Sequence, residues 1–152
     1  MKRKATYKIT HAICATILAA TTLYSCTFES ANGGDFDGMW HLTNIDTLAT
    51  GGSRDMSKEL IFWSFENKLM EADDKSGAHQ SVLFRFYDDS GTLTLSSPYA
   101  YDRNNGDQAL TDSTLLLPFG INKIEESFQI LQNKGSRLKL QSATLKLTFK
   151  RM

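Results

Sequence analysis

From Met39 to Arg151 the sequence alternates between apolar and polar residues, and short groups of turn residues interrupt the alternation. The final run shows it most clearly, because Leu145, Leu147 and Phe149 are each separated by one polar residue. Successive side chains of a β-strand point to opposite faces, so this period indicates strands with one buried and one solvated face. A helix would distribute the same apolar residues around its circumference. The pattern therefore predicts an all-β, antiparallel fold.

Nine runs are predicted to form strands, and turn residues at hairpin spacing separate several of them. Examples are Glu66-Asn67, Asp89-Ser90-Gly91 and Asn133-Lys134-Gly135. Residues 119–126 are predicted to hold one helical turn. The predicted strands are 39–47, 58–65, 68–73, 81–88, 92–96, 113–117, 127–132, 136–141 and 144–151.

Short strands joined by tight turns are typical of an up-and-down barrel or of a sandwich. The two prolines, Pro98 and Pro118, both fall in predicted connections or at their edges. A barrel is favoured because closure removes exposed strand edges without the help of disulfides. We therefore predict an eight-stranded up-and-down antiparallel barrel, with the sandwich as the alternative that periodicity leaves open.

The first 25 residues have the pattern of a signal peptide. A basic start is followed by residues 9–24, which carry no charge. These 16 residues include several threonines and are shorter than the roughly 20 apolar residues of a transmembrane helix. The segment ends in Leu23-Tyr24-Ser25-Cys26, which resembles the bacterial lipobox except at Tyr24.

The lipobox resemblance implies cleavage before Cys26 and acylation of its thiol. Removal of residues 1–25 also removes Cys14, so Cys26 is left without a disulfide partner in the remaining sequence. The predicted organisation is a signal peptide over 1–25, a lipidated cysteine and flexible tether over 26–37, and a barrel domain over 38–152. Two or more acyl chains would hold such a protein stably to a membrane.

Without its first 25 residues the chain has 13 Lys and Arg residues against 17 Asp and Glu residues, a net charge of −4. No cluster of basic residues stands out along the sequence. Nucleic acid and anionic lipid are therefore not predicted as partners.

Two segments carry a family resemblance. Gly38-Met39-Trp40 matches the Gly-x-Trp start of lipocalins, and residues 137–150 resemble the last two strands of small lipocalin-like lipoproteins of the Bacteroides group. The resemblance implies a lipocalin-like barrel closed at one end by Trp40, with a basic residue stacked on it. By parity Arg151 lies on the face of Phe149 and is the candidate for that stacking. The long C-terminal helix and the disulfide of lipocalins have no counterpart in the sequence, so no classical lipocalin ligand is inherited.

Catalytic and metal-binding constellations are missing from the pattern. His41 and His79 are too far apart and too isolated to have metal-ligand spacing. The acidic loop 102–107 does not match the register of a calcium-binding loop and is predicted to be a polar hairpin. We therefore predict a protein without enzyme activity, metal or cofactor.

Aromatic residues cluster in the middle of the domain, and most of them are predicted to pack in the core. Tyr99 and Tyr101 lie in a predicted long loop, 97–112, and are candidates for a lid or contact surface. The residues that would line a ligand cavity are Phe62, Phe84, Phe86, Tyr99 and Tyr101.

Two functions remain open at this stage. The first is a membrane-anchored barrel whose open end, formed by loops 48–57 and 97–112, binds a small apolar or amphipathic ligand. The alternative is a structural or accessory subunit of a cell-envelope complex, with a filled barrel and outer aromatic residues that contact another protein. The residue after Cys26 is Thr27 and not the Asp that acts as an inner-membrane retention signal. We therefore expect the protein at the outer membrane, with its domain facing either the periplasm or the cell surface.

Overall fold

A computed structural model describes residues 34–152. The predicted signal peptide, Cys26 and the first part of the predicted tether lie outside the described residues. The strands are β1 (Gly38–Thr47), β2 (Gly52–Asp55), β3 (Ile61–Glu66), β4 (Leu69–Asp74), β5 (Val82–Asp89), β6 (Thr92–Ala100), β7 (Gln108–Ala109), β8 (Glu126–Lys134), β9 (Arg137–Gln141) and β10 (Leu145–Arg151). Two 3-10 helices span Gly34–Phe36 and Ser113–Phe119.

Eight strands form a closed antiparallel barrel, which confirms the predicted fold. They follow the order β10-β9-β8-β6-β5-β4-β3-β1, and β10 pairs with β1 to close the cylinder. The short strand β2 pairs with the second half of β1, and β7 pairs with the end of β6. We call the end that contains the first residues of β1 and the last residues of β10 the base. The opposite end, which contains the β4–β5 loop and the 3-10 helix Ser113–Phe119, is the mouth.

The β1–β10 pairing runs from Trp40 opposite Arg151 to Thr47 opposite Leu145. Near the mouth a salt bridge of 2.9 Å joins Nζ of Lys146 to Oδ2 of Asp46 across this seam. Hydrogen bonds from Lys146 and from two neighbouring polar side chains lower the pKa of Asp46 to about 2. The carboxylate is therefore charged at neutral pH, and the closing seam carries an ion pair as well as its backbone ladder.

Aromatic side chains fill the interior. The ring centroid of Trp63 lies 4.9 Å from that of Phe149 and 5.6 Å from that of Phe128. These rings are surrounded by leucines from β1, β6, β9 and β10 that are almost completely buried. Among the described residues, buried apolar side chains from Phe36 to Phe149 form one hydrophobic cluster.

The base is closed by residues that the sequence assigned to the tether. Phe36 is buried, with its ring 5.3 Å from that of Phe65, and its carbonyl accepts a 2.8 Å hydrogen bond from Nε1 of Trp40. The segment Gly34–Phe36 is thus part of the folded domain, ahead of the predicted domain start at residue 38.

The predicted and observed secondary structures differ most at the mouth. Residues 113–117, predicted as a strand, belong to the 3-10 helix Ser113–Phe119, and the helical turn predicted at 119–126 is not found there. Asp112 caps the helix by accepting a 2.9 Å hydrogen bond from the backbone N–H of Thr114. Three consecutive leucines, 115–117, interrupt the period of two, so the run lacked the alternation of the true strands.

The segment after β5 also differs from the prediction. Strand β6 continues to Ala100 through an irregularity at Ser97, whose φ is +50°, whereas the prediction ended at residue 96. The predicted loop 97–112 is correspondingly shorter and contains β7. The predicted strand 58–65 begins only at Ile61, and β2 was not predicted.

Gly120 ends the 3-10 helix with a φ of +78°, and a Cβ atom placed there would lie 2.9 Å from Cδ2 of Leu147. We expect Gly120→Ala to lower the free energy of unfolding by about 2–4 kcal/mol, because left-handed backbone strain adds to overpacking against a buried side chain. Urea denaturation measures this change. The matched control is Gly91→Ala, since Gly91 has a φ of +81° and no atom within 4 Å of the added Cβ. A loss equal to that of the control would show that close packing at Gly120 contributes nothing.

Candidate functional site

The 3-10 helix Ser113–Phe119 lies over the mouth and is fixed by contacts with the core. Leu116 and Phe119 are fully buried, and Nε1 of Trp63 donates a 3.1 Å hydrogen bond to the carbonyl of Phe119. The core tryptophan therefore holds the last turn of the helix in place. The barrel is filled at both ends, by Phe36 at the base and by this helix at the mouth.

A histidine from the β4–β5 loop packs against the helix. The ring of His79 makes an edge contact with Phe119, with centroids 6.2 Å apart. Its Nδ1 lies 2.7 Å from Oδ2 of Asp74, and Ser76 donates two hydrogen bonds to the other carboxylate oxygen. Burial raises the pKa of Asp74, but the hydrogen bonds from Ser76 and His79 outweigh burial and hold that pKa below its usual value. A buried carboxylate thus orients His79 at the mouth.

Two open pockets lie on either side of the contact between the β4–β5 loop and the helix. The first has a volume of about 270 Å³ and mainly apolar walls, which include Val82, Ala100, Leu110, Leu115 and Pro118. The second has a volume of about 460 Å³ and a mixed lining, which includes Arg54, Glu59, Asp74, His79 and Leu117.

Two leucines of the helix are unusually exposed at these pockets. Leu115 is 57% exposed and Leu117 is 51% exposed, although their neighbour Leu116 is fully buried. Apolar walls beside a histidine and an arginine are suited to an amphipathic molecule, because the apolar part can cover leucine while the polar part meets the charged groups. We call the two pockets together the mouth site.

The inner aromatic residues of the predicted ligand cavity do not form a cavity. Phe84 and Phe86 point inward and are buried in the filled core, where the ring of Phe86 lies 5.0 Å from that of Phe65. Phe62 points to the outer face of β3 and stacks on His41 at 4.9 Å. The rings of Phe62 and Phe86 pack against protein, whereas Phe84 borders an open pocket on the outside of the barrel, and the ligand-lining role of these residues stays a prediction.

Tyr99 and Tyr101 lie on the outside of the barrel and not over the mouth site. Tyr99 belongs to β6 and lines an open pocket of about 250 Å³ together with Phe84, a second predicted ligand-lining residue, and with Leu69 and Leu83. The Tyr101 hydroxyl accepts a hydrogen bond from Nε of Arg103, and that guanidinium lies 5.2 Å from the ring centroid of Tyr101. The lid predicted at these tyrosines is instead formed by the 3-10 helix.

Ligand binding is predicted at the open end formed by loops 48–57 and 97–112, and these loops supply Arg54 and Leu110 to the mouth site. The histidine and the two leucines of the site were not predicted. His79 was a solitary loop histidine, and Leu115 and Leu117 were assigned to a strand. The available signal was Asp112 followed by Thr114, a helix-capping pattern, together with Pro118, which is unfavourable in a paired central strand.

The described residues offer neither a clustered metal site nor a membrane-spanning helix. Within residues 34–152, no group of three or more His, Cys, Asp and Glu side chains is arranged to hold a metal ion. In the same range, no helix has the length and apolar character needed to cross a membrane.

At the base, Arg151 lies over Trp40 as parity predicted. The guanidinium carbon is 5.1 Å from the ring centroid of the fully buried Trp40. The same guanidinium donates a hydrogen bond to the carbonyl of Asp37. The geometry allows a cation-π contact, and its part in closing the barrel remains a prediction.

Comparisons with known proteins agree with this architecture. A family model described as a lipocalin-like domain matches residues 20–152. A lipocalin-like protein from Bacteroides uniformis ATCC 8492 is similar in structure, with a TM-score of 0.60 and 18% sequence identity over 78% of this chain and 100% of that chain. An uncharacterized protein from Bacteroides eggerthii DSM 20697 has a TM-score of 0.55 and 15% identity over 77% of this chain and 99% of that chain. No match was found among the curated proteins searched.

The contact between Trp40 and Arg151 can be measured by a double-mutant cycle of Trp40→Leu and Arg151→Met. We expect a coupling energy of about 0.5–2 kcal/mol in the free energy of unfolding, because only the wild-type pair places a cation on an aromatic face. Methionine keeps an apolar stem at position 151, so packing is largely conserved. A coupling energy near zero would show that the two residues stabilise the base independently.

Proposed function

The chain belongs to the lipocalin-like domain family, and we propose that it is a lipid-anchored envelope protein that binds a small amphipathic or apolar molecule at the mouth site. The observation that carries the binding proposal is the pair of half-exposed leucines, Leu115 and Leu117, beside pockets of about 270 and 460 Å³. Ligand pockets commonly measure about 300–1,000 Å³ and combine apolar walls with a few polar groups.

Binding at the mouth is favoured over binding inside the barrel. The interior is filled by rings such as those of Trp63, Phe128 and Phe149, which contact one another at 4.9–5.6 Å. A ligand inside would have to displace these close-packed side chains, at a cost of several kcal/mol. At the mouth a ligand would cover apolar surface that is already exposed, which is favourable by about 25 cal/mol per Å².

The polar side of the mouth site carries charges that are already paired. In the larger pocket Arg54 lies 4.0 Å from Glu59, and His79 bonds Asp74. The smaller pocket is mainly apolar and shares His79 with the larger one. A molecule with a hydrocarbon part and a polar head would place its apolar part on Leu115 and its head near His79. The Ser76 hydroxyl donates to Asp74 and not to the imidazole of His79, which bonds the same carboxylate, so the proposed role is binding without catalysis.

The anchoring proposal rests on the lipobox resemblance at residues 23–26 and on the lack of a second cysteine after residue 25. Acyl chains on Cys26 would hold the domain at the outer membrane, with the display side left to experiment.

A second function has its own supporting observation. An accessory subunit of an envelope complex needs no internal cavity, and the interior of this barrel is filled. Tyr87 and Leu131 are exposed on the outer surface and could contact another protein. Such a protein would use the outside of the barrel for protein contact and would bind no small molecule at the mouth.

The binding proposal is tested with the amphipathic anionic probe 1-anilinonaphthalene-8-sulfonate. We expect saturable fluorescence enhancement at one site per chain, weakened at least fivefold in the double variant Leu115→Ser/Leu117→Ser, because both leucines supply apolar contact surface. The matched control is Leu69→Ser/Leu131→Ser, which removes two leucines of similar exposure away from the mouth. Equal weakening in both variants, or no saturable binding, would contradict the mouth site and favour the accessory subunit. Native mass spectrometry of the protein from its host would then identify any co-purifying molecule.

The anchoring proposal is tested by metabolic labelling of the full chain with a radioactive fatty acid in a lipoprotein-processing bacterial host. We expect incorporation into the wild type and none into Cys26→Ser, because the thiol is the proposed site of acylation. Cys14→Ser is the control and should remain labelled, since Cys14 lies in the predicted signal peptide. Labelling of Cys26→Ser, or a wild type without label, would overturn the proposal.

A further inference from the structure

Charge is distributed very unevenly along the chain. Residues 127–152 contain six Lys and Arg residues and no Asp or Glu, whereas residues 34–126 contain seven Lys and Arg residues against sixteen Asp and Glu residues. The net charge of −4 therefore conceals a basic C-terminal segment inside an acidic protein, and the prediction of a sequence without a basic cluster is wrong for this segment.

The fold turns this segment into a surface. Lys134 on β8 pairs with Arg137 on β9, and Arg137 pairs with Lys150 on β10, so three adjacent strands carry a cation in one row. Lys139 follows in the next row of the same face, between Gln132 and Thr148. The intervening residues of β9 and β10 are buried leucines and Phe149, so these four cations point away from the core. We call Lys134, Arg137, Lys139 and Lys150 the basic face.

The basic face lacks internal counterions in the part of the chain that the structure describes. The ion pairs there involve other cations, including Lys146, which bonds Asp46. Like charges directly opposite one another on a sheet are destabilising, so a row of three cations lowers the stability of the barrel. A negatively charged partner outside the domain would relieve this repulsion.

The position of the basic face indicates which partner it meets. Lys134, Arg137 and Lys150 lie at the base, the same end at which the described chain begins with Gly34. Two exposed methionines are also at the base, where the backbone N–H of Met152 bonds the carbonyl of Met39 at 3.0 Å. Met152 is 72% exposed and Met39 is 37% exposed. The base also carries the exposed acidic residues Glu66, Asp88 and Asp89, which belong to β3 and β5, so its cationic side is the one formed by β8, β9 and β10. Cations near exposed apolar side chains are suited to the interface of a bilayer.

We propose that the basic face binds the anionic headgroups of the bilayer that holds the anchor. The inference deepens the proposed function and rests on the anchoring at Cys26 for its choice of partner. Cys26 precedes Gly34 by eight residues, a distance of at most about 28 Å when fully extended. A chain of that length keeps the base near the lipid surface, and headgroup binding then directs the mouth site away from the membrane.

The test uses the unacylated chain from residue 26 with Cys26→Ser, which retains the complete core, and follows its co-sedimentation with vesicles. We expect binding to vesicles of phosphatidylcholine with 30% phosphatidylglycerol and little binding to phosphatidylcholine alone. Replacement of the four cations by glutamine should weaken binding at least about a hundredfold at low ionic strength, since each cation near an anionic surface contributes roughly fivefold. Raising the salt concentration from 0.05 to 0.5 M should weaken wild-type binding similarly, which tests the electrostatics without a variant.

The matched control replaces four exposed cations away from the base, namely Lys58, Arg85, Arg103 and Lys123, by glutamine. It changes the net charge equally and should retain more than half of the vesicle binding. No binding by the unacylated wild type, or equal losses in the two variants, would overturn the headgroup proposal. So would binding that withstands 0.5 M salt. None of these outcomes depends on acylation, because the protein in the vesicle experiment is unacylated. The labelling experiment tests the anchoring proposal separately.

Discussion

The pairing of the first strand with the last is the constraint on which the structure depends. Once β1 and β10 form a ladder from Trp40–Arg151 to Thr47–Leu145, every one of the eight barrel strands has a neighbour on both sides. Exposed strand edges invite association with other chains, and closure removes them without a disulfide. Closure also forces alternate side chains into one interior, where their total volume decides whether a cavity remains. Here the two tryptophans and several phenylalanines fill that interior, and the surfaces left for binding are the ends and the outer face.

Closure therefore connects the packing of the core with the location of function. Trp63 contacts Phe128 and Phe149 in the centre and also donates to the carbonyl of Phe119, so one side chain joins the core to the helix at the mouth. At the other end Trp40 bonds the carbonyl of Phe36 and lies beneath Arg151. The consecutive hairpins β8–β9 and β9–β10 bring Lys134, Arg137 and Lys150 into one row.

The amino-acid sequence predicted those features that depend on local periodicity. Alternation at Leu145, Leu147 and Phe149 was sufficient to assign the last strand, its inner face and the orientation of Arg151. The resemblance to lipocalin-like proteins agrees with the family match, and the barrel-closing role that it implies for Trp40 stays a prediction. The local pattern did not predict the capped 3-10 helix, because Leu115–Leu117 are three consecutive apolar residues. It did not predict the burial of Phe36 either, because that burial depends on Phe65 and Phe86, which are distant in sequence. The basic segment 127–152 is visible in the sequence, but the row formed by Lys134, Arg137 and Lys150 depends on strand register, which neither composition nor net charge reveals.

The wall of the barrel is not uniform around its circumference. Strand β6 pairs with β8 only from Thr92 to Leu95, and beyond that point its edge faces β7 and the connection that carries the 3-10 helix. Rearranging residues 113–119 would break side-chain packing and the bond from Trp63, but it would leave each rung of the eight-strand ladder intact. The conformation of the mouth can therefore change without a change in the strand pairing of the barrel. A protein engineer could vary the helix sequence to change what the mouth accepts and still rely on the same cylinder to fold.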